Sequence, residues 1–154
     1  MLSPTEALLD VNVLIASVFE DHPDFKRARE FVGNLDHFYT CPTTQGGFLR
    51  FATRPWKIED KEQPPRLSMA EAQGKLKEIT ATEGHVFLPD DIPFTDLSLR
   101  SMSGHKQWTD AYLIKMARQH NLRLASTDWR MSNLDDPVSP TLFLLPRTAR
   151  GTPH

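Results

Sequence analysis

The fold of this chain is decided by the stretch Leu8-Leu9-Asp10-Val11-Asn12-Val13-Leu14-Ile15-Ala16. Residues 7–9 have the apolar composition of a strand buried on both faces of a parallel sheet, and residues 11–19 predict the helix that follows it. Asp10 would then lie at the carboxyl end of a central strand, where open α/β sheets bind ligands. A carboxylate beside so much apolar surface is costly unless it is paired, hydrogen-bonded or metal-bound. Two interpretations of Asp10 stay open, a ligand or a cap of the next helix.

The composition is that of an ordinary globular domain. The chain has 154 residues, of which 39% are hydrophobic and 25% charged, and this suits a single domain. Lys and Arg number 18 against 20 Asp and Glu, so any nucleic-acid binding must depend on local patches. The single cysteine, Cys41, excludes an internal disulfide. We find neither a signal-peptide pattern nor an apolar run of membrane-spanning length, and therefore expect a cytoplasmic protein without membrane contact.

Strand-like and helix-like patterns alternate along the rest of the chain. Strands are predicted at residues 37–41, 86–88, 122–126 and 141–145, and helices at residues 24–33, 43–54, 68–79 and 110–120. This order predicts an α/β fold, a three-layer α/β/α sandwich with a short parallel sheet of four to five strands. Residues 1–146 would form this one domain, residues 56–67 an exposed connector, and residues 147–154 a disordered tail.

The predicted helix at residues 43–54 has two unusual features. Gly46 and Gly47 lower its intrinsic helicity, which indicates close approach of its backbone to another element or to a ligand. Arg50 and Arg54 lie four residues apart and would share one helix face. This pair could contact phosphates of a nucleic acid, or it could be an ordinary solvated face.

Three acids are predicted to converge at one edge of the sheet. Right-handed crossovers place the carboxyl ends of parallel strands on the same edge. Asp10 follows the first strand, Asp128 follows the fourth, and Asp110 begins the helix that leads into the fourth. Converging carboxylates repel one another, and a divalent cation such as Mg²⁺ or Mn²⁺ would stabilise them. Taken singly, Asp110 and Asp128 are typical first-turn acids of helices, so their joint position is what favours a metal site.

Four segments carry a family resemblance: LLDVNVLIA at 8–16, CPTTQGGFLR at 41–50, TDAYLIKMA at 109–117 and LASTD at 124–128. Together they resemble the PIN-domain superfamily and, within it, the VapC-type toxins of bacterial toxin–antitoxin systems. The resemblance extends from residue 7 to about residue 145 and implies a metal-dependent ribonuclease that hydrolyses RNA phosphodiesters. It also implies inhibition by a small cognate antitoxin and frequent homodimerisation. Asp10, Asp110 and Asp128 match the family's acids, which implies catalytic and metal-binding roles for them.

The sequence departs from this family at Gln45. The resemblance implies glutamate in that stretch, whereas this chain has Thr44-Gln45-Gly46-Gly47. Glutamine keeps a carbonyl oxygen that can bind a cation but has no charge. We therefore keep an alternative to the active toxin, a catalytically weakened PIN-fold module that binds RNA or antitoxin.

Several neighbours of the acids have open roles. Asn12 could orient Asp10 or merely cap a helix, and its position two residues after Asp10 argues against aspartyl-phosphate chemistry. Thr127 precedes the last acid, and His105 lies in the loop before Asp110; either could belong to the site. Trp108 and Trp129 could stack on an unpaired base or pack at the rim. We also expect an exposed apolar patch, covered in a homodimer or by antitoxin, that includes Phe48, Phe51 and Trp56.

Overall fold

A five-stranded parallel sheet lies at the centre of the computed structural model, which describes residues 2–146. In chain order the elements are β1 (Glu6–Leu9), α1 (Val11–Val18), α2 (Phe25–Gly33), β2 (His37–Thr40), α3 (Pro42–Thr53), β3 (Trp56–Ile58), β4 (Lys61–Gln63), α4 (Met69–Thr80), β5 (His85–Phe87), α5 (Trp108–Gln119), β6 (Arg123–Ser126) and β7 (Leu142–Leu144). The strand order is β5-β2-β1-β6-β7, and every pair in this sheet is parallel. The predicted tail, residues 147–154, lies outside the described residues.

The central strand β1 is covered on both faces, as its composition requires. Leu8 packs into the cluster formed with α5, whereas Ala7 and Leu9 pack into the cluster formed with α1 and α2. Side chains alternate between the two faces of a strand, so one short strand takes part in both cores. The predicted three-layer α/β/α sandwich is confirmed, and Asp10 follows the innermost strand directly.

The connector predicted at residues 56–67 contains a short antiparallel hairpin formed by β3 and β4. Its turn residues Glu59 and Asp60 have φ values of 50° and 63°, the left-handed conformation of a two-residue hairpin turn. Neither is the Asn-Gly or Asp-Gly signal of such turns, and both strands are mostly exposed. The hairpin therefore lacks both sequence signals that would predict it, a turn dipeptide such as Asn-Gly and alternating buried and exposed residues in its strands.

The predicted exposed patch is wrong for Phe48, whose side chain is fully buried. Its ring stacks on Phe19, with centroids 6.2 Å apart. Phe51 and Trp56 are half-buried, because the guanidinium of Arg66 lies over both rings at 4.4 and 4.2 Å. The three aromatic residues that were expected to contact a partner are thus largely covered by other residues of the same chain. No helix among residues 2–146 is long and apolar enough to cross a membrane.

Helix α3 packs closely on α1 at Gly47. A Cβ atom at Gly47 would lie 2.6 Å from Cγ2 of Val11, a distance that requires the helices to move apart. We expect Gly47→Ala to lower the free energy of unfolding by about 1–3 kcal/mol, as overpacking does.

The matched control for this prediction is Gly74→Ala in α4, where an added Cβ meets nothing within 4 Å. That change should raise stability by up to about 1 kcal/mol, through helix propensity alone. Urea denaturation of both variants measures the difference. Equal effects of the two substitutions would contradict the close approach.

Candidate functional site

The carboxylate of Asp10 is held at the junction of β1, α1 and β6. Its Oδ1 accepts a hydrogen bond from the amide of Val11 at 2.7 Å, which caps α1. Its Oδ2 accepts from Ser126 Oγ at 2.8 Å and from Asn12 Nδ2 at 3.2 Å. Asp10 is only 6% exposed. The capping interpretation is confirmed, and the same contacts fix the direction of the carboxylate at the sheet edge.

Asn12 and Ser126 connect the ends of β1 and β6. Nδ2 of Asn12 also donates to Ser126 Oγ at 3.2 Å, and its Oδ1 accepts from the amide of Thr127 at 3.2 Å. Ser126 is fully buried, and its Oγ accepts from the amide of Asp128 at 3.0 Å. Asn12 therefore contacts Asp10 directly, as one of its two interpretations expected. Ser126 was missed, although it lies inside the LASTD segment that carried the resemblance.

Asp128 is paired with an arginine that the sequence analysis did not single out. It caps the short 3₁₀ helix Trp129–Leu134 and accepts from the amide and Nε of Arg130, each at 3.0 Å. Nη2 of Arg130 reaches the other oxygen at 3.3 Å. Burial raises the pKa of Asp128, but the hydrogen bonds and charge of Arg130 outweigh it, so the pKa is lowered. No sequence motif predicts a role for Arg130, because its contact with Asp128 depends on the turn that follows β6.

Asp110 is the least compensated of the three acids. It lies in the first turn of α5, and its carboxylate makes no hydrogen bond within residues 2–146. Burial raises its pKa to about 6, the negative charges of Asp10 and Asp128 add to this rise, and Arg130 opposes it. The pKa of Asp10 is also raised, mainly by burial and in part by the charge of Asp128. The charge of Asp128 thus raises the pKa of both Asp10 and Asp110, and the charge of Asp10 raises that of Asp110 as well.

The acid cluster of Asp10, Asp110 and Asp128 fits a divalent cation in chemistry and charge but does not form a complete ligand cage. All of its candidate ligands are carboxylate oxygens, which Mg²⁺ and Mn²⁺ prefer. The negative charges of the acids repel one another, and a bound cation would relieve this repulsion. Within the described part of the chain, no three His, Cys, Asp or Glu residues are arranged to hold an ion. The guanidinium of Arg130 already occupies Asp128, so a cation would share or replace that contact.

The side-chain amide of Gln45 donates its hydrogen bond to a threonine rather than to one of the acids. Its Nε2 donates to Thr40 Oγ1 at 3.0 Å, and no hydrogen bond joins it to Asp10, Asp110 or Asp128 among residues 2–146. Gln45 also lines a groove that extends to α4 and β5 rather than to α5. The amide of Gln45 is therefore oriented by Thr40 rather than by a hydrogen bond to one of the three acids.

The three residues predicted to contact RNA, Arg50, Arg54 and His105, are exposed. Arg50 is exposed within α3, but Arg54 follows the last residue of the helix and its guanidinium lies 5.2 Å from the ring centroid of Phe51. His105 is exposed in a 3₁₀ turn just before α5. Trp108 and Trp129 are 42% and 63% exposed, so both rings are accessible beside Asp110 and Asp128.

Comparison with known proteins agrees with this geometry. The PIN domain family model matches residues 7–137. Ribonuclease VapC38 of Mycobacterium tuberculosis is 38% identical over 124 residues, covering 79% of this chain and 84% of the relative. Ribonuclease VapC29 of the same species is 35% identical over 142 residues, covering 92% of this chain and 97% of the relative.

Two solved structures share the fold at low sequence identity. One is VapBC2 from Rickettsia felis bound to a DNA fragment from its promoter, with a TM-score of 0.57, 11% identity and coverage of 90% of this chain and 96% of that one. The other is FitAB bound to the IR36 DNA fragment, with a TM-score of 0.58, 19% identity and coverage of 90% and 94%. These two structures show the fold, while the family-model match over residues 7–137 and the relatives at 35–38% identity show that the chain belongs to the PIN-domain family, among relatives named VapC ribonucleases.

Proposed function

We propose that this protein is the toxin of a type II toxin–antitoxin pair, an endoribonuclease that depends on Mg²⁺ or, alternatively, Mn²⁺. The observation that carries the proposal is the position of three acids: Asp10 directly after β1, Asp110 in the first turn of α5 and Asp128 directly after β6, where the charge of Asp128 acts on both Asp10 and Asp110. The relatives named ribonuclease VapC support an RNA phosphodiester as substrate. For a site built from carboxylates, metal-assisted attack of water on the phosphodiester is the route that fits.

The proposed roles of the site residues are of two kinds, binding of the cation by the acids and orientation of Asp10 by its hydrogen-bond partners. When bound, the cation would supply positive charge to the scissile phosphate and lower the pKa of water. Asp10, Asp110 and Asp128 would hold it. Asn12 and Ser126 orient Asp10 through the hydrogen bonds of its Oδ2, as partners of metal ligands commonly do.

The groove between α1, α2 and α4 suits the proposed antitoxin. It has a volume of about 480 Å³. Its apolar lining includes Leu14, Val18 and Ile79, and charged residues such as Arg29 and Glu83 also border it. An amphipathic helix binds in a groove of this kind through its apolar face. The cognate antitoxin is therefore proposed to place such a segment here, while the homodimer remains a prediction without support from the buried Phe48.

Cleavage of a mixed pool of RNAs, measured against Mg²⁺ and Mn²⁺ concentration, tests the proposed function. We expect cleavage that stops with a chelator and returns when excess metal is added, because the acid cluster needs a cation to approach a phosphate. Cleavage that persists after chelation would refute the metal dependence. RNA binding without cleavage at any metal concentration would favour the weakened binding module instead.

A further inference from the structure

A second groove opens between α3, α4 and the edge strand β5. It is shallow and open to solvent, with a volume of about 420 Å³. Its lining combines an exposed aromatic ring, two amides, a cation and an imidazole: Phe87, Gln45, Gln73, Lys77 and His85, with Leu76 and Thr80. The ring of Phe87 is 52% exposed. An aromatic face bordered by amides is the composition of a nucleobase site.

A chain of hydrogen bonds orients Gln45 in this groove. The buried Thr40 Oγ1 lies 2.7 Å from His85 Nε2 and accepts from Gln45 Nε2 at 3.0 Å. Burial lowers the pKa of His85, while a hydrogen bond with the backbone of Thr80 opposes the shift. In either tautomer of His85, the hydroxyl oxygen of Thr40 keeps a lone pair that accepts from the amide nitrogen of Gln45. The carbonyl oxygen of Gln45 is left without a partner in the described part of the chain.

The groove and the acids share one edge of the sheet. Phe87 pairs with Thr40, and the register of Leu8 with Tyr39 places Thr40 beside Leu9, the residue before Asp10. The backbones of Phe87 and Leu9, the residue before Asp10, are therefore separated by two strand spacings, roughly 10 Å. That distance corresponds to a neighbouring nucleotide of an RNA strand whose phosphate lies at the acids.

The charge of the groove also suits RNA. Lys77 is its only charged lining residue and forms no ion pair within residues 2–146, whereas the neighbouring Lys75 is paired with Glu78. An unpaired lysine beside an aromatic face binds a phosphate while the base stacks.

We propose that this groove binds the base of a single-stranded RNA nucleotide next to the cleaved phosphate, with the base stacked on Phe87. Lys77 binds the adjoining phosphate, and the carbonyl of Gln45 accepts a hydrogen bond from the base edge. The inference rests on the proposed ribonuclease function and adds a substrate subsite to it. Gln45 then acts in substrate binding, and its lack of charge is suited to a base rather than to a cation.

The first test is fluorescence anisotropy of labelled single-stranded RNA hexamers in chelator, so that binding is measured without cleavage. Phe87→Ala should weaken binding by about 5- to 150-fold, the range that corresponds to one base–aromatic stack. Phe87→Tyr should restore it. Ile58→Ala is the matched control, because Ile58 is 49% exposed and lies on the hairpin outside the groove. We expect wild-type affinity for this control.

The outcomes separate the two proposals. If the wild type binds RNA, and Phe87→Ala and Lys77→Ala bind it with the same affinity, the proposed RNA subsite in the groove is wrong. The ribonuclease proposal is not affected by that result. A wild type that neither binds nor cleaves RNA overturns both.

The second test is Gln45→Glu, followed by Mn²⁺ calorimetry as well as RNA anisotropy. A carboxylate beside the phosphates of bound RNA should weaken RNA affinity, and Mn²⁺ affinity should stay within about twofold of wild type. If Gln45 instead belonged to the cation site, the added charge would tighten Mn²⁺ binding. Tighter Mn²⁺ binding with unchanged RNA affinity therefore overturns the role of Gln45 in this groove.

Discussion

Asp10→Asn should abolish RNA cleavage, with a loss of about 100-fold or more. Asp10 carries the negative charge that lies most deeply in the acid cluster, and cation-derived charge stabilisation is worth several kcal/mol in such reactions. The substitution also presents an amide NH₂ where Ser126 and Asn12 donate hydrogen bonds. This mismatch should cost about 1–3 kcal/mol of stability. Cleavage of a fixed RNA and chemical denaturation are measured on the same preparation.

Asp135→Asn is the matched control for this loss. Asp135 is 8% exposed and accepts hydrogen bonds from the amides of Thr141 and Leu142 at 2.8 and 2.7 Å. It pairs with Arg118 in the last turn of α5, at the opposite end of that helix from Asp110. A similar stability loss is expected with cleavage retained by the folded protein. Equal loss of cleavage in both variants would mean that stability alone explains the effect, and an active Asp10→Asn would remove Asp10 from the mechanism.

The position of Asp10 was predictable because the composition of the strand before it is compatible only with the interior of a parallel sheet. Four consecutive residues with three buried apolar side chains must lie inside a parallel sheet, and the acid that follows must lie at the carboxyl edge. Right-handed crossovers place the carboxyl ends of parallel strands at the same edge of a sheet, so Asp128, which follows β6, lies at that edge too. This part of the site follows from local pattern and topology together.

The partners of the acids were not predictable in this way. Ser126 and Arg130 act through specific side-chain geometry at the end of β6, and serine or arginine after a strand is too common to indicate a role. Phe48 was assigned to the surface because periodicity does not reveal that Gly47 lets α3 sit against α1. The direction of Gln45 depends on His85, which is forty residues away in sequence and adjacent only through sheet pairing.

Asp110→Asn should stabilise the metal-free protein at pH 7 while removing its response to metal. The pKa of Asp110 is raised from 3.8 to about 6 in the folded state. Between about pH 4 and 6 the folded protein therefore keeps a proton that the unfolded chain has released, and its stability falls as the pH rises. The contribution is up to about 3 kcal/mol before solvent screening of this half-buried group. Asparagine does not ionise, so the variant escapes this loss.

Thermal denaturation in chelator across pH 4 to 7, followed by Mn²⁺ titration at pH 7, measures both effects. Wild type and Asp110→Asn should converge near pH 4 and separate by pH 7, with the variant melting higher. Excess Mn²⁺ should raise the melting temperature of wild type, because a ligand bound only by the folded state stabilises it, and should have little effect on the variant. Asp36→Asn, which removes an exposed charge just before β2 at the opposite edge, should respond to Mn²⁺ as wild type does. A metal-free Asp110→Asn that melts below wild type at pH 7 would show that Asp110 is stabilised by its neighbours rather than crowded by them, and the acid cluster would lose its need for a cation.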